Sequence, residues 1–489
     1  MLMKAASQSL TEQLAGRFAE RIRTRLLVPG ARLPSVRQCA QQQGVSPATV
    51  VAAYDHLLAQ GLVEARRNRG FFVREAMAPP QPAPGASAPG ALGATVGGTP
   101  AAFNSFAWLM ARRAPAPVNA TALIRGMFHK ISNKPQPGMG TFPPEWLEST
   151  FMGGAVRKVT STRALHAFSL EYGEPMGDSG LRRALANKLV ATLGLPASAE
   201  QIITSVGATH ALDIVSRTLL RPGDPVMVEE PGWAVEFARL NALGMRLLPV
   251  PRRADGPDLD VMARYCEAHK PKLFVSVSVF HNPTSYCLTP GSAHRVLQLA
   301  NQHDFHIVED DTYSHIAPEH ATRLSVLDGL RRTIYVSGFA KILAPNWRIG
   351  FIAAPPDLVE QLLDTKLLAT LTTPALLEKA LALCIDQGQL RRHAERVRAR
   401  LDAARSRSVK LALQAGCRFE AEPAGLFGWV DTGVDTDALA QRMLDEGYLL
   451  APGALFHADS TPSTLMRINF ATTQDAAFWK KYSELVRRM

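Results

Sequence analysis

The sequence predicts an α/β chain of at least two domains. A short basic unit of helices closed by a strand pair comes first. A large region follows, in which strands and helices alternate around a mainly parallel sheet and end in a smaller α+β lobe. Three observations lead there. The chain has 489 residues, more than one ordinary domain holds. Its net charge of +11 is uneven: residues 1–75 carry 11 Lys and Arg against 5 Asp and Glu, a net +6, while the other 414 residues share +5. From about residue 138, apolar runs (PVMVEEP, KLFVSVSVF, FHIVED, TIYVSGF) alternate with helical stretches such as HALDIVSRTLL and AHRVLQLANQH. That is the pattern of strands joined by crossover helices.

The first unit reads as helix, turn, helix. SVRQCAQQQ leads to Gly44, and SPATVVAAYDHLLAQG follows, with Ser46 suited to an N-cap and Pro47 to the first helical position. LVEARRNRGFFV then supplies two short strands around a basic tip holding Arg66, Arg67 and Arg69, with Gly70 permitting close backbone approach. A winged helix-turn-helix of this kind lays its second helix in the major groove of double-stranded DNA, with Ser46, Ala48 and Thr49 nearest the base edges and the wing near phosphate or the minor groove. The alternative, a small helical protein-interaction domain, accounts less well for the basic balance and the wing.

Residues 76–100 contain no charged residue and are mostly Ala, Pro and Gly, so they cannot bury a core and read as a linker. FNSFAWLMARR and TALIRGMFHKI, within 101–137, have the pattern of amphipathic helices, either an arm on the large domain or part of the linker. The expected division is 1–75 for the reader, 76–137 for linker and arm, and 138–489 for the large domain. A long helical region at about Ala375 to Ala415 carries the basic run RRHAERVRARLDAARSR, read as a solvated face rather than a DNA-facing one. FGWVDTG and a final helix follow it.

Composition narrows the function classes. No apolar run reaches the roughly 18 residues of a membrane span, and MLMKAASQSLTEQ lacks the apolar core of a signal peptide. Five scattered cysteines, with no CxxC or Cys/His pair, point to reduced thiols in a cytoplasm and to no metal site.

A series of strand ends in the large domain carries chemistry. GATHAL follows the strand-like QIITSV and starts a helix whose backbone N–H groups, with the hydroxyl of Thr209, suit a phosphate. Trp233 in EEPGWA can stack on a planar ring, or be an ordinary core tryptophan. Asn282 in FHNPTS can donate to a phenolic oxygen, or mark an Asn-Pro turn. Asp310 ends FHIVED, where a buried carboxylate can keep a pyridine nitrogen protonated, and Tyr313 follows three residues later; EDD alone is equally a solvated turn or a metal site. Lys341 comes just after TIYVSGF, with Arg348 seven residues on: an amine for an aldehyde and a cation for a phosphate. Arg467, in TLMRINFA, can pair bidentately with a carboxylate. Singly these residues mean little; in this order they describe a pyridoxal 5′-phosphate site.

Two resemblances cover the chain. PGARLPSVRQCAQQQGVSPATVVAAYDHLLAQGLVEARRNRGFFV is similar to the DNA-binding domain of GntR regulators, over nearly all of residues 8–75. It implies DNA contacts from Arg37 and the Ser46–Thr49 segment, with Tyr54 fixing the second helix. Pro47 stands where many members carry Arg. Residues from about 140 to 489 resemble fold-type I aminotransferases. That implies Lys341 as the Schiff-base lysine, Asp310 as pyridinium partner, and Asn282 and Tyr313 as phenolate partners. It also implies Ala208, Thr209 and Arg348 on the phosphate, Trp233 stacking, and Arg467 on an amino-acid carboxylate. Tyr172 resembles a tyrosine that reaches the neighbouring subunit's phosphate, which implies a homodimer. Two departures are Gly338 with Ser337, where members place Ser at the position of Gly338, and Ser285, where NPTG is usual. Both halves in this order resemble the MocR subfamily. The expectation is a regulator sensing pyridoxal phosphate, or its adduct with an amino compound serving as a small-molecule effector. The alternatives are a working aminotransferase with a DNA-binding appendage, and a DNA-binding protein using its large domain only as a dimerisation scaffold.

Overall fold

The computed structural model describes residues 9–23, 31–66, 70–74, 133–161, 165–166 and 170–489. The linker 76–100, the stretches of 101–132 and the wing-tip residues Arg67 and Arg69 lie outside them. The chain divides into two compact units, Met1–Ser105 and Phe106–Met489.

In the first unit, helix α1 (Leu10–Arg23) precedes α2 (Val36–Gln43) and α3 (Pro47–Ala59). Local chemistry sets the turn. Ser35 caps α2 by accepting from Gln38 N, and Gly44 ends it in the left-handed region at φ 66°. Ser46 Oγ accepts from Thr49 N at 3.1 Å, and Pro47 opens α3. Strands β1 (Val63–Arg66) and β2 (Gly70–Val73) pair antiparallel, Val63 opposite Val73 and Arg66 opposite Gly70. Tyr54 is the hub: fully buried, its ring meets Phe18 and Phe71 edge-on and its hydroxyl donates to Pro34 O at 2.9 Å. One side chain thereby ties α1, α3, the hairpin and the entry to α2. The expected winged helix-turn-helix is present.

The second unit centres on a seven-stranded sheet. Its strands are β3 (Ile202–Ser205), β4 (Pro225–Glu230), β5 (Arg246–Pro251), β6 (Leu273–Ser276), β7 (His306–Asp310), β8 (Thr333–Gly338) and β9 (Gly350–Ala353), in the order β3-β9-β8-β7-β6-β4-β5. Only β9 runs antiparallel to its neighbours. Both faces are covered. Val226 and Val228 of β4 pack with Ala211, Ile214 and Leu362, while Met227 packs with Met262, Val296 and Phe274. Burial on both faces explains the continuous apolar runs in the sequence.

A second, antiparallel sheet forms the smaller lobe: β10 (Arg418–Phe419), β11 (Phe427–Asp431), β12 (Ala451–Pro452) and β13 (Leu465–Asn469), ordered β10-β11-β13-β12. The expected single helical region at 375–415 is two helices, Ala375–Asp386 and Gln389–Gln414, separated at Gly388, whose φ of 64° a continuing helix cannot adopt. On the second of these, His393, Val397, Leu401, Ala404 and Ser408 are buried while Arg391, Arg392, Arg396 and Arg400 are exposed, so the basic run is a solvated face. Among the described residues no helix is long and apolar enough to cross a membrane.

Residues 134–141, across the expected boundary at 138, run over the small lobe. Lys134 Nζ donates to Glu446 O (2.6 Å), Leu449 N to Gln136 Oε1 (2.8 Å), and Gly138 N to Leu449 O (2.7 Å).

Candidate functional site

The strand directions gather the site. β3, β4, β6, β7 and β8 are mutually parallel, so their C-terminal ends share one sheet edge, and β9 begins there. In open sheets of this kind ligands bind beyond that edge. Ala208 and Thr209 follow β3, Trp233 follows β4, Asn282 lies past β6, Asp310 and Tyr313 end and follow β7, Lys341 follows β8, and Arg348 precedes β9.

Lys341 sits in a turn anchored by fully buried Ile342 and Leu343. Its Nζ donates to Gly140 O at 2.6 Å. Burial, reinforced by the charges of Arg467 and Arg348 and opposed by Asp310, brings its amine down from 10.5 to about 8. Asp310 shows the converse. Burial lifts its carboxyl to about 6, against hydrogen bonds from the Thr312 amide and hydroxyl. Tyr313 is buried, its ring edge-on to Phe427, and desolvation raises its phenol well above the usual value.

Arg467 lies in β13 and is 3 % exposed. Its Nη1 donates to Asn282 Oδ1 (2.9 Å) and its Nη2 to Gly138 O (2.6 Å), while its guanidinium lies 4.3 Å from the Phe427 ring centre. Its buried Nε has no partner, and burial lowers its pKa from 12.5 to about 10. No carboxylate pairs with it among the described residues. With Oδ1 taken, Asn282 is left with its Nδ2 protons to offer.

The helix Ala208–Leu219 starts at Gly207, φ 83°. His210 N and Ala211 N return to Gly207 O, whereas Ala208 N, Thr209 N and the Thr209 hydroxyl make no hydrogen bond among the described residues. Arg348 Nη2 donates to Val206 O (2.9 Å), its guanidinium lying against Gly207. Two glycines let this helix start come so near the strands. A methyl on Gly350 would fall 2.5 Å from the Gly207 carbonyl carbon, and one on Gly338 would fall 3.3 Å from Ala208 N. Amide donors, a hydroxyl and a guanidinium together suit a dianionic phosphate.

The departures acquire physical reasons. Ser337 is not at the cup: adjacent strand residues face opposite sides, and its buried Oγ donates to Asp311 O (2.9 Å). Gly338, the inward position, touches Ala208 N instead. Ser285 holds φ 62°, where glycine is favoured, and donates its Oγ to Phe427 O (2.6 Å). Trp233 is half-buried, preceding the helix Ala234–Ala242 and packed against the core. Tyr172 is not brought into the site by this chain; it stands 83 % exposed. The sequence reading missed the Gly138–Gly140 carbonyls.

In the reader, Arg37, Ser46 and Ala48 are exposed and Thr49 half-buried. Ser46 Oγ and Thr49 Oγ1 share a 2.8 Å hydrogen bond, and Arg66 pairs with Glu64 (2.7 Å) and stacks on Phe72.

Fold and site together define an aminotransferase-type domain behind a winged helix-turn-helix. The family model for aminotransferase class I and II matches residues 155–478, and that for bacterial regulatory proteins of the gntR family matches residues 10–73. The probable rhizopine catabolism regulatory protein MocR of Rhizobium meliloti is 31 % identical over 400 residues, covering 81 % of this chain and 76 % of that protein. Among solved structures, the multiple substrate aminotransferase from Thermococcus profundus superposes with a TM-score of 0.68 at 25 % identity, over 78 % of this chain and 97 % of that one. The α-aminoadipate aminotransferase LysN of Thermus thermophilus, complexed with N-(5′-phosphopyridoxyl)-L-leucine, gives 0.66 at 24 % identity, over 75 % and 93 %. The chain belongs to the aminotransferase class I and II family and, with its gntR-family domain, is a transcriptional regulator of the MocR type.

Proposed function

We propose that pyridoxal 5′-phosphate binds at this sheet edge and that its presence, alone or joined to an amino compound, changes how the reader engages double-stranded DNA. The observation that carries the reading is a pair of opposed costs in one site. An amine is depressed to about 8 and a carboxylate raised to about 6, each destabilised in its charged form by burial. A cofactor offering an aldehyde to the first and a pyridinium to the second relieves both. The unpartnered Arg467 Nε and the free amides of Ala208 and Thr209 fit the same ligand class.

Bound there, the cofactor supplies an aldehyde that condenses with primary amines and a ring that withdraws electrons. The chain's own groups do the rest. Lys341 presents the amine. Asp310 holds a proton on the ring nitrogen. Asn282, through Nδ2, and Tyr313 would hold the cofactor's phenolic oxygen, and Trp233 would stack against its ring. The helix start and Arg348 hold phosphate, and Arg467 clamps a carboxylate. Tyr172, exposed on its own chain, reaches a partner copy in a homodimer, and the protein works in the cytoplasm.

The shifted amine makes a pH prediction. Only the neutral amine attacks an aldehyde, and below its pKa that fraction grows about tenfold per pH unit. Cofactor uptake, followed by absorbance, rises steeply to about pH 8 and then levels. An unshifted lysine keeps rising past pH 10.

For the reader, exposed Arg37 at the start of α2 and the wing Arg66, Arg67 and Arg69 take phosphate, while Ser46, Ala48 and Thr49 face bases. Arg37→Ala weakens binding on every sequence and lowers the salt slope by about 1, whereas Thr49→Ala changes sequence preference. Gel-shift titrations at several salt concentrations check both. Full affinity in a chain lacking residues 1–75 contradicts the placement.

A second reading, an aminotransferase with a DNA-binding appendage, is favoured by the complete set of Lys341, Asp310 and Arg467. Sustained turnover of an amino acid with a keto acid supports it; a single uptake event without turnover supports the sensor.

A further inference from the structure

We propose that residues 134–141 form a strap that reports occupancy of the site to the part of the chain leading to the reader. This rests on the cofactor reading above. The strap meets the site through its backbone carbonyls. Gly140 O accepts from Lys341 Nζ and Gly138 O from Arg467 Nη2, each at 2.6 Å. Asn469 Nδ2 donates to Met139 O (2.9 Å) and Thr141 O (2.7 Å). Two of these four pins are the very cations a ligand uses: the amine that meets an aldehyde and the guanidinium that meets a carboxylate.

The strap borders the space between them. A methyl on Gly140 would lie 3.4 Å from Lys341 Nζ and 3.9 Å from Arg467 Nη2. Condensation of the lysine amine with an aldehyde forms a C=N bond, loses one water, and leaves a nitrogen that no longer has an ammonium's protons for Gly140 O. A carboxylate on Arg467 likewise competes with Gly138 O, and an anion outbids a neutral carbonyl for a guanidinium. Ligand binding therefore exchanges strap contacts for ligand contacts. The root of the strap is held by residues other than these cations, by Lys134 to Glu446 O and by Gln136 to Gly447 O and Leu449 N. Beyond the root, the sequence continues toward the reader. A ligand shifts an equilibrium only through contacts that differ between two states, and the strap both touches the cations a ligand uses and lies in the sequence between them and the reader.

The test is hydrogen exchange of the full chain over residues 134–141, with and without pyridoxal 5′-phosphate, with occupancy read independently by absorbance. Strap amides, including the Gly138 N–H held by Leu449 O, exchange at least about threefold faster on cofactor uptake, as expected for a segment losing pins. Gln136→Ala loosens the root without touching the site. It takes up cofactor normally, shows fast strap exchange from the outset, and loses most of the cofactor-dependent change in DNA affinity. Unchanged strap exchange at full occupancy overturns the strap and leaves the cofactor reading standing. Absence of the absorbance band removes the cofactor reading and the strap with it.

Discussion

Lys341→Ala is expected to abolish covalent uptake of pyridoxal 5′-phosphate: no visible band, and no mass increment after borohydride reduction. The other residues proposed to hold the cofactor are left unchanged, so the loss isolates the amine. Among the described residues the geometry offers no substitute. Lys366, also held at about 8 by burial, is fully buried with its Nζ bound to Pro175 O, and Lys188 belongs to the helix Ser179–Leu193. Peptide mapping of the reduced wild type places the increment on the peptide containing Lys341. An increment that survives in Lys341→Ala assigns the amine to another residue.

Arg467→Lys is expected to keep the cofactor yet lose the response to a carboxylate-bearing effector by about a hundredfold, or roughly 2.7 kcal/mol. Arg467 is a fork held in place: Nη1 on Asn282, Nη2 on Gly138 O, the plane over Phe427. Lysine keeps the charge but cannot present two parallel donors. The readout is DNA affinity with cofactor alone and then with cofactor plus amino acid, for wild type and variant. An unchanged amino-acid response in Arg467→Lys leaves a sensor of the cofactor alone.

Much of this was legible in the chain because its signals are local. Ser46 and Pro47 carry their capping chemistry within three residues and Gly44 marks the turn, so the helix-turn-helix and its wing could be drawn from the sequence, whereas α1 was not anticipated. Parallel strands buried on both faces announce themselves as apolar runs, and the chemistry sits at their ends. What was not legible depends on distant backbone. The carbonyls of Gly138 and Gly140 meet Arg467 and Lys341 across 329 and 201 residues, and a carbonyl has no residue type to read. Whether Ser337 or Gly338 faces the phosphate cup depends on strand pleat, which shifts with one residue of register. β10 and β12, two residues each, are too short for any periodicity.

The proposed regulator couples one cofactor site to one DNA reader. The most direct test of that coupling is the affinity of the full chain for DNA flanking its own gene, at one salt concentration, with and without pyridoxal 5′-phosphate, in wild type and Lys341→Ala. A change of about tenfold or more is expected in the wild type, a coupling of at least roughly 1.4 kcal/mol, and none in the variant. Equal wild-type affinities in both conditions, with absorbance showing the site full, would contradict it.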